Sequence, residues 1–190
     1  KTVANYTKTI GACILSAPLA LSITGPPAAS TITGASTICE GLSTTLNTTT
    51  QLGNWSSSNS GIASIDASGK VTAVAPGNTN MSYVTTNACG TTTTTKLITV
   101  NPLPTVQPIT GLTELCASSK IIVTNNTNGG SWSSSNPSVA TINANGEITG
   151  VSEGTSTIQY SVTASGCSNQ SSTLITVRSL PAITSITGPS

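Results

Sequence analysis

The sequence has no histidine, no phenylalanine and one methionine, and only 6% of its residues are charged. Without histidine, neither a Ser-His-Asp nor a Cys-His arrangement can be assembled. The acids are a single aspartate, Asp66, and Glu40, Glu114, Glu147 and Glu153. They fall mostly one to a turn or loop, whereas the carboxylate pair of a glycoside hydrolase must sit roughly 5–10 Å apart. Calcium calls for about six to eight hard oxygen ligands, usually with several carboxylates together, and Asp66 has no acidic neighbour. The cysteines lack the CxxC pairing of structural zinc sites. A net charge of +1 offers no basic field to a phosphate backbone and no acidic field to cations. These absences exclude nucleic acid as a partner and point to a non-enzymatic chain with no cofactor and no metal.

A long hydrophobic run is missing too. The longest apolar stretch, Cys13 to Ile23, is broken by Ser16, Pro18 and Ser22, well short of the roughly 20 residues a membrane helix needs. No membrane insertion is expected in this segment. The beginning of the chain lacks the basic-then-apolar layout of a secretory signal, so any export signal is expected outside it.

What is present is hydrophobic content of 36%, dominated by Val, Ile, Leu and Ala and alternating with Ser and Thr over short runs. That alternation builds half-buried strands. The chain also repeats itself. Trp55 and Trp132 lie in the strings NWSSSN and SWSSSN, 77 positions apart (132 − 55). The same offset carries Cys39 onto Cys116, Gly69 onto Gly146, Gly77 onto Gly154, Tyr83 onto Tyr160, and LITV at 97–100 onto LITV at 174–177. Cys89 maps onto Cys167 with a one-residue insertion. A fixed period of this length signals a repeat architecture.

Two complete copies are expected, at 32–101 and 109–178. Residues 1–27, with Tyr6 lying 77 before Tyr83, read as the C-terminal part of a preceding, degenerate repeat, and the ITG at 186–188 places the start of a following repeat at 182–190. The natural protein is therefore expected to be longer. In the second copy the pattern predicts strands at 105–109, 120–124, 130–133, 139–143, 147–151, 156–163 and 172–177. Seven short strands suit a β-sandwich. Turn chemistry agrees, with Ser68-Gly69, Asn145-Gly146 and Gly129-Gly130 between runs. The copies are joined by Asn101-Pro102-Leu103-Pro104, a linker stiffened by two prolines.

The strings WSSSNSGIASIDASGKVTAVAPG (55–77) and WSSSNPSVATINANGEITGVSEG (132–154) resemble the bacterial immunoglobulin-like repeats of group 2. With ICEG at 38–41, TNACG at 86–90 and NPLP at 101–104, the copies further resemble repeats of giant surface proteins of Bacteroidota, including gliding adhesins. The resemblance implies an all-β fold, tandem immunoglobulin-like β-sandwiches forming an elongated array on the bacterial cell surface. It implies no reaction. The role expected is that of a stalk or spacer in an extracellular filament or adhesin, with adjacent repeats as partners. The alternative is a module binding glycan or protein through loops at one sandwich end, weakly and multivalently. The variable segment 48–54 (TTTQLGN) against 124–130 (TNNTNGG) keeps that alternative open.

Trp55 and Trp132 are read as core residues supported by Tyr83 and Tyr160, in preference to sugar-stacking platforms. Asn-x-Ser/Thr triplets at Asn5, Asn47, Asn54, Asn80, Asn125 and Asn169 are the chance product of a Ser/Thr-rich chain. An exported protein would oxidise its five cysteines. In the sandwich implied by the resemblance, Cys39 lies at the turn between the first two strands and Cys89 at the last hairpin turn, at opposite ends of the domain. The favoured bridge is therefore between repeats, Cys39 to Cys167, with the partners of Cys13, Cys89 and Cys116 outside this segment. Bridges within copies (Cys39–Cys89 and Cys116–Cys167) and free thiols are the alternatives.

Overall fold

The structure, a computed structural model, describes residues 2–10, 13–21, 25–50 and 52–180, with side chains from residue 25 onward. The chain divides into two compact units at Val100/Asn101. All regular structure in the described residues is β.

Strands β1 (Thr2–Ile10) and β2 (Cys13–Leu21) form an antiparallel hairpin. The first sandwich follows. One of its sheets contains β4 (Thr37–Cys39), β7 (Gly53–Ser57), β10 (Gly77–Asn87) and β11 (Gly90–Asn101), in the order β4-β11-β10-β7. Facing it are β5 (Ser43–Thr45), β8 (Ala63–Ile65) and β9 (Lys70–Ala73), ordered β5-β9-β8, and the short pair β3 (Ile32–Thr33) and β6 (Asn47–Thr48).

The second unit has the same plan. Strands β13 (Glu114–Cys116), β15 (Ser131–Ser134), β18 (Gly154–Ala164) and β19 (Cys167–Arg178) make the sheet β13-β19-β18-β15. Opposite are β12 (Thr110–Gly111), β14 (Lys120–Thr124), β16 (Ala140–Ile142) and β17 (Glu147–Gly150), ordered β12-β14-β17-β16. The all-β, tandem immunoglobulin-like sandwich fold expected from the sequence is the fold observed.

Alternation in the long strands does the sorting. In β10 the side chains of Thr79, Met81, Tyr83 and Thr85 turn inward while their neighbours face out. The core of the first unit consists of Ile38, Leu46, Ala63, Val71, Ala73, Met81, Ile98 and Val100. Adding 77 to seven of these numbers gives Leu115, Val123, Ala140, Ile148, Ile158, Ile175 and Val177, all in the second core. The remaining position, Ala73, becomes Gly150 (73 + 77). Volume is exchanged among aliphatic residues while the set of buried positions stays fixed, the kind of substitution that cores tolerate best.

Three details differ from the sequence reading. No strand forms at 105–109. Prolines at 102, 104 and 108 interrupt this segment and cannot donate to a ladder. Side chains hold it instead, with Gln107 N–H donating to Thr127 Oγ1 at 2.9 Å and Asn125 Nδ2 to the Gln107 carbonyl. The first strand then splits between the sheets, β12 pairing antiparallel with β14 and β13 parallel with β19. Second, the final hairpins have equal length. Asn87 pairs with Gly90 across a two-residue turn, and Ala164 with Cys167 across another. There is no insertion. The cysteine itself has moved one place, from an exposed turn position at 89 to a buried first strand position at 167. Third, the tryptophans are half-buried at the edge of each core, and the fully interior aromatics are Tyr83 (4% exposed) and Tyr160 (7%). The expected repeat start at 182–190 and the side chain of Cys13 lie outside the described residues.

Candidate functional site

The second and third serines and the asparagine of the WSSSN strings are built into a hydrogen-bond network. Ser57 Oγ donates to the Ala63 carbonyl at 2.6 Å, and Ser134 Oγ to that of Ala140 at 2.6 Å. The next serine extends the ladder. Ser58 N–H donates to Asn80 O while its Oγ accepts from Asn80 N–H, both at 2.9 Å, and Ser135 repeats the exchange with Thr157. A buried hydroxyl ties the motif to the central strand. Thr79 Oγ1 lies 3.2 Å from Ser57 Oγ, 3.0 Å from Ser58 Oγ, and accepts from Asn59 N–H at 3.0 Å. Ser156 takes the same place beside Ser134 and Asn136 in the second unit. Satisfying buried polar groups in this way fixes one arrangement of the corner. Ser57, Ser58, Ser134 and Ser135 are therefore structural.

Three of the five acids are occupied in a similar way. Asp66 Oδ1 accepts from Ser68 N–H, Ser68 Oγ and Lys70 N–H at 2.8, 2.6 and 3.1 Å. Those bonds, the Ser68 hydroxyl foremost and then the Lys70 amide, pull its pKa below the ordinary aspartate value. Asn143 does the same work without a charge, accepting from Asn145 and Glu147 N–H. Because the folded pKa is depressed, the Asp66 contribution to stability is complete above the unfolded carboxylate range and is lost as pH falls through the folded value. Asp66→Asn should melt slightly below the wild type at pH 7 and match it in acid, flattening the acid-side decline of the first unit. A variant with the wild-type pH dependence would contradict this assignment.

Glu114 pairs with Arg178 at 3.0 Å and Glu147 with Lys120 at 2.7 Å. The Arg178 hydrogen bond, followed by its charge, lowers the Glu114 pKa. Among the described residues no group of three or more His, Cys, Asp or Glu converges as a metal site, and no helix is long and apolar enough to cross a membrane.

The remaining feature is a pocket that occurs in both units, built around an aromatic pair. Tyr83 stands directly across from Trp55 on neighbouring strands, ring centroids 4.8 Å apart and tilted by 55°. Trp132 and Tyr160 repeat this at 4.7 Å and 57°. Each tyrosine hydroxyl fastens the loop that opens the following strand. Tyr83 Oη donates to the Thr50 carbonyl at 2.9 Å and accepts from Gly53 N–H at 2.8 Å. Tyr160 Oη donates to Thr127 O at 2.6 Å and accepts from Gly130 N–H at 3.0 Å. The glycines are required by the rings, since a Cβ would lie 2.5 Å from Tyr83 at position 53 and 2.4 Å from Tyr160 at position 130.

The pocket of the first unit, about 190 Å³, is lined by Asn47, Thr48, Trp55, Ser68 and Tyr83 among others. That of the second, about 270 Å³, is lined by Asn125, Asn128, Trp132, Asn145 and Tyr160 among others. No ionisable acid or base lines either pocket.

This geometry, with its doubled core, serine network and turn caps, has a counterpart among known sequences. The pattern of the bacterial Ig-like domain (group 2) matches residues 22–97 and 111–171. The chain belongs to this family. No curated protein matches it. Parts of several solved structures are similar to it. A SusE-like, surface-located polysaccharide-binding protein from the Bacteroides thetaiotaomicron heparin utilisation locus is 15% identical, with 79% of this chain and 34% of that one covered and a TM-score of 0.42. The C-terminal fragment of intimin, solved with the intimin-binding domain of its translocated receptor, is 16% identical over 80% of this chain and 64% of that one, TM-score 0.41. Surface layer protein SbsC, domains 1–6, is 17% identical over 74% and 24%, TM-score 0.30. The chain thus spans about a third of the first of these and about a quarter of the last.

The cysteines of this Ig-like pair follow strand geometry. Cys39 and Cys167 are both disulfide-bonded, while Cys116 is a half-buried thiol. In the second unit Cys116 pairs in register with Arg178, at the end of β19 opposite Cys167. The 11 residues between those ends (178 − 167) span about 36 Å of strand, against the roughly 4.4–6.8 Å between bridged Cα atoms. The first unit behaves alike. The Ser36 carbonyl accepts from Thr99 N–H, 10 residues beyond Cys89 (99 − 89) and about 33 Å along the strand. A bridge within either copy is ruled out.

Proposed function

We propose that this chain is a non-catalytic spacer in a bacterial surface protein, two Ig-like repeats of a stalk that holds other domains away from the cell. The observation that carries this reading is the correspondence of the two cores and hydrogen-bond networks at an offset of 77. Such repetition suits a repeat array, where each unit contacts mainly its neighbours. The structural roles of Ser57, Ser58, Ser134 and Ser135 and of Asp66 and Asn143 accord with it.

The repeats extend over 32–101 and 109–178, with residues 1–27 the end of a preceding copy and 182–190 the start of another. Strands β1 and β2 support this, since they fall 77 residues before β10 and β11. Cys39 and Cys167 bond to each other across the linker and lock adjacent repeats, which an oxidising, extracellular location permits. Cys13, Cys89 and Cys116 bond to further copies. The narrower setting is a large adhesin or gliding-type protein of Bacteroidota.

Small-angle scattering tests the spacer role. The chain should give the extended profile of a rod, and EDTA should leave both profile and melting temperature unchanged. A globular profile, or a melting point lowered by EDTA, would contradict it.

A further inference from the structure

We infer that each repeat carries a binding subsite for one neutral sugar residue, in the pocket beside the Trp–Tyr pair. This goes beyond the spacer role, which stands or falls independently of it.

The indole edge supplies the first argument. Trp55 Nε1 lies beside the turn at Gly69, where a Cβ would sit 3.3 Å from it, and the Trp132 ring meets Gly146 in the same way. Neither indole N–H has a hydrogen-bond partner among the described residues, and neither is buried. Each is an unused donor at the pocket wall. A gap left by splayed sheets would be lined by aliphatic side chains, whereas these walls carry a tryptophan, a tyrosine and short amides and hydroxyls. Each wall is thus mainly hydrogen-bonding groups set beside one indole.

Chemical class follows from the lining. With no ionisable acid or base in either wall, an anionic or cationic ligand would meet no counter-charge. A ligand with a polar rim, weakly apolar faces and no charge fits, which is the chemistry of a neutral pyranose. The volumes, about 190 and 270 Å³, suit one ring rather than an oligosaccharide. Free amides add recognition. The side chains of Asn47, Asn128 and Asn145 make no hydrogen bond among the described residues.

Preference would differ between repeats. The loop that the tyrosine fastens carries Leu52 in the first unit, 90% exposed, and Gly129 (52 + 77) in the second. The tyrosine holds this variable loop against a constant aromatic wall. One weak site per repeat becomes useful along an array through multivalency.

The test uses the full chain, whose only two tryptophans are Trp55 and Trp132, so intrinsic fluorescence reports on both pockets. The probes are D-glucose, D-galactose, D-mannose and N-acetyl-D-glucosamine, with polygalacturonate as the anionic control, followed by amide chemical shifts. At least one neutral sugar should change the emission saturably at millimolar concentration. Shifts should centre on residues 47–48, 53 and 68 and on 125–130 and 145. Trp55→Phe with Trp132→Phe removes both donors, and its affinity is read from the amide shifts because no tryptophan remains. Asn145→Ala, at an exposed turn position, leaves the fold intact and should weaken the second site about threefold to tenfold, as loss of one hydrogen bond predicts. No saturable response to any of the four sugars, shifts centred elsewhere, an unchanged affinity in both sets of variants, or equal binding of polygalacturonate would each overturn the proposal.

Discussion

Replacing Ile158 by alanine should remove about half of the second repeat's stability. Its side chain is 0% exposed, at the centre of a core of eight buried residues. Large-to-small changes at such sites cost about 2–5 kcal/mol. A sandwich of some 70 residues has a total stability of only about 4–10 kcal/mol. Met81→Ala should do the same to the first repeat, since Met81 holds the corresponding place (81 + 77 = 158) and is likewise 0% exposed. Thermal melts of both variants should show one transition lost or shifted far down while the other stays put. Two transitions moving together would mean that the units do not fold as separate cores.

The second large effect is expected at Gly130→Ala. The added methyl would stand 2.4 Å from the Tyr160 ring and 2.8 Å from the Ser161 carbonyl, and the backbone side of that clash cannot swing away. Overpacking of this kind costs about 1–3 kcal/mol. The loss of the Tyr160–Gly130 bond would add to it, because an unpaired buried donor costs about 1–3 kcal/mol. Tyr160→Phe separates the two contributions by removing the hydroxyl without the clash. Denaturant melts should rank Gly130→Ala as the more damaging, with Tyr160→Phe intermediate. Near-wild-type stability for Gly130→Ala would show that the loop does not depend on this contact.

Much of the fold was legible because the repeat places the same residue type at the same structural station. Ile98 and Ile175, Val100 and Val177, and Gly69 and Gly146 could be paired by counting alone. Alternation then assigned faces in β10 and β18. What escaped the sequence was set by long-range partners. The split of the first strand into β12 and β13 depends on which sheet each half meets, and nothing in residues 105–116 declares that choice.

Cysteine alignment gave an insertion where there is none, because letter matching followed the sulfur while hairpin geometry kept the chain length. The sequence marks Trp55 and Trp132 as core residues, yet Tyr83 and Tyr160 are the deeper of each pair. Their hydroxyls find backbone partners inside, whereas each indole N–H is left at the pocket wall. The serine strings looked like a family mark without a cause, and the cause is a network whose other half, Thr79 or Ser156, lies more than 20 residues away.

Force spectroscopy on the single chain, pulled from its two ends with and without reductant, tests the stapled-spacer account most directly. In the oxidised protein the 127 residues between Cys39 and Cys167 (167 − 39 − 1) should stay out of the extension. Reduction should release two successive unfolding events of similar length. The gain in contour should be on the order of 450 Å, at about 3.5 Å per residue. Equal extension in both conditions, or a single event spanning both repeats, would contradict an array of separately folded units joined by that bridge.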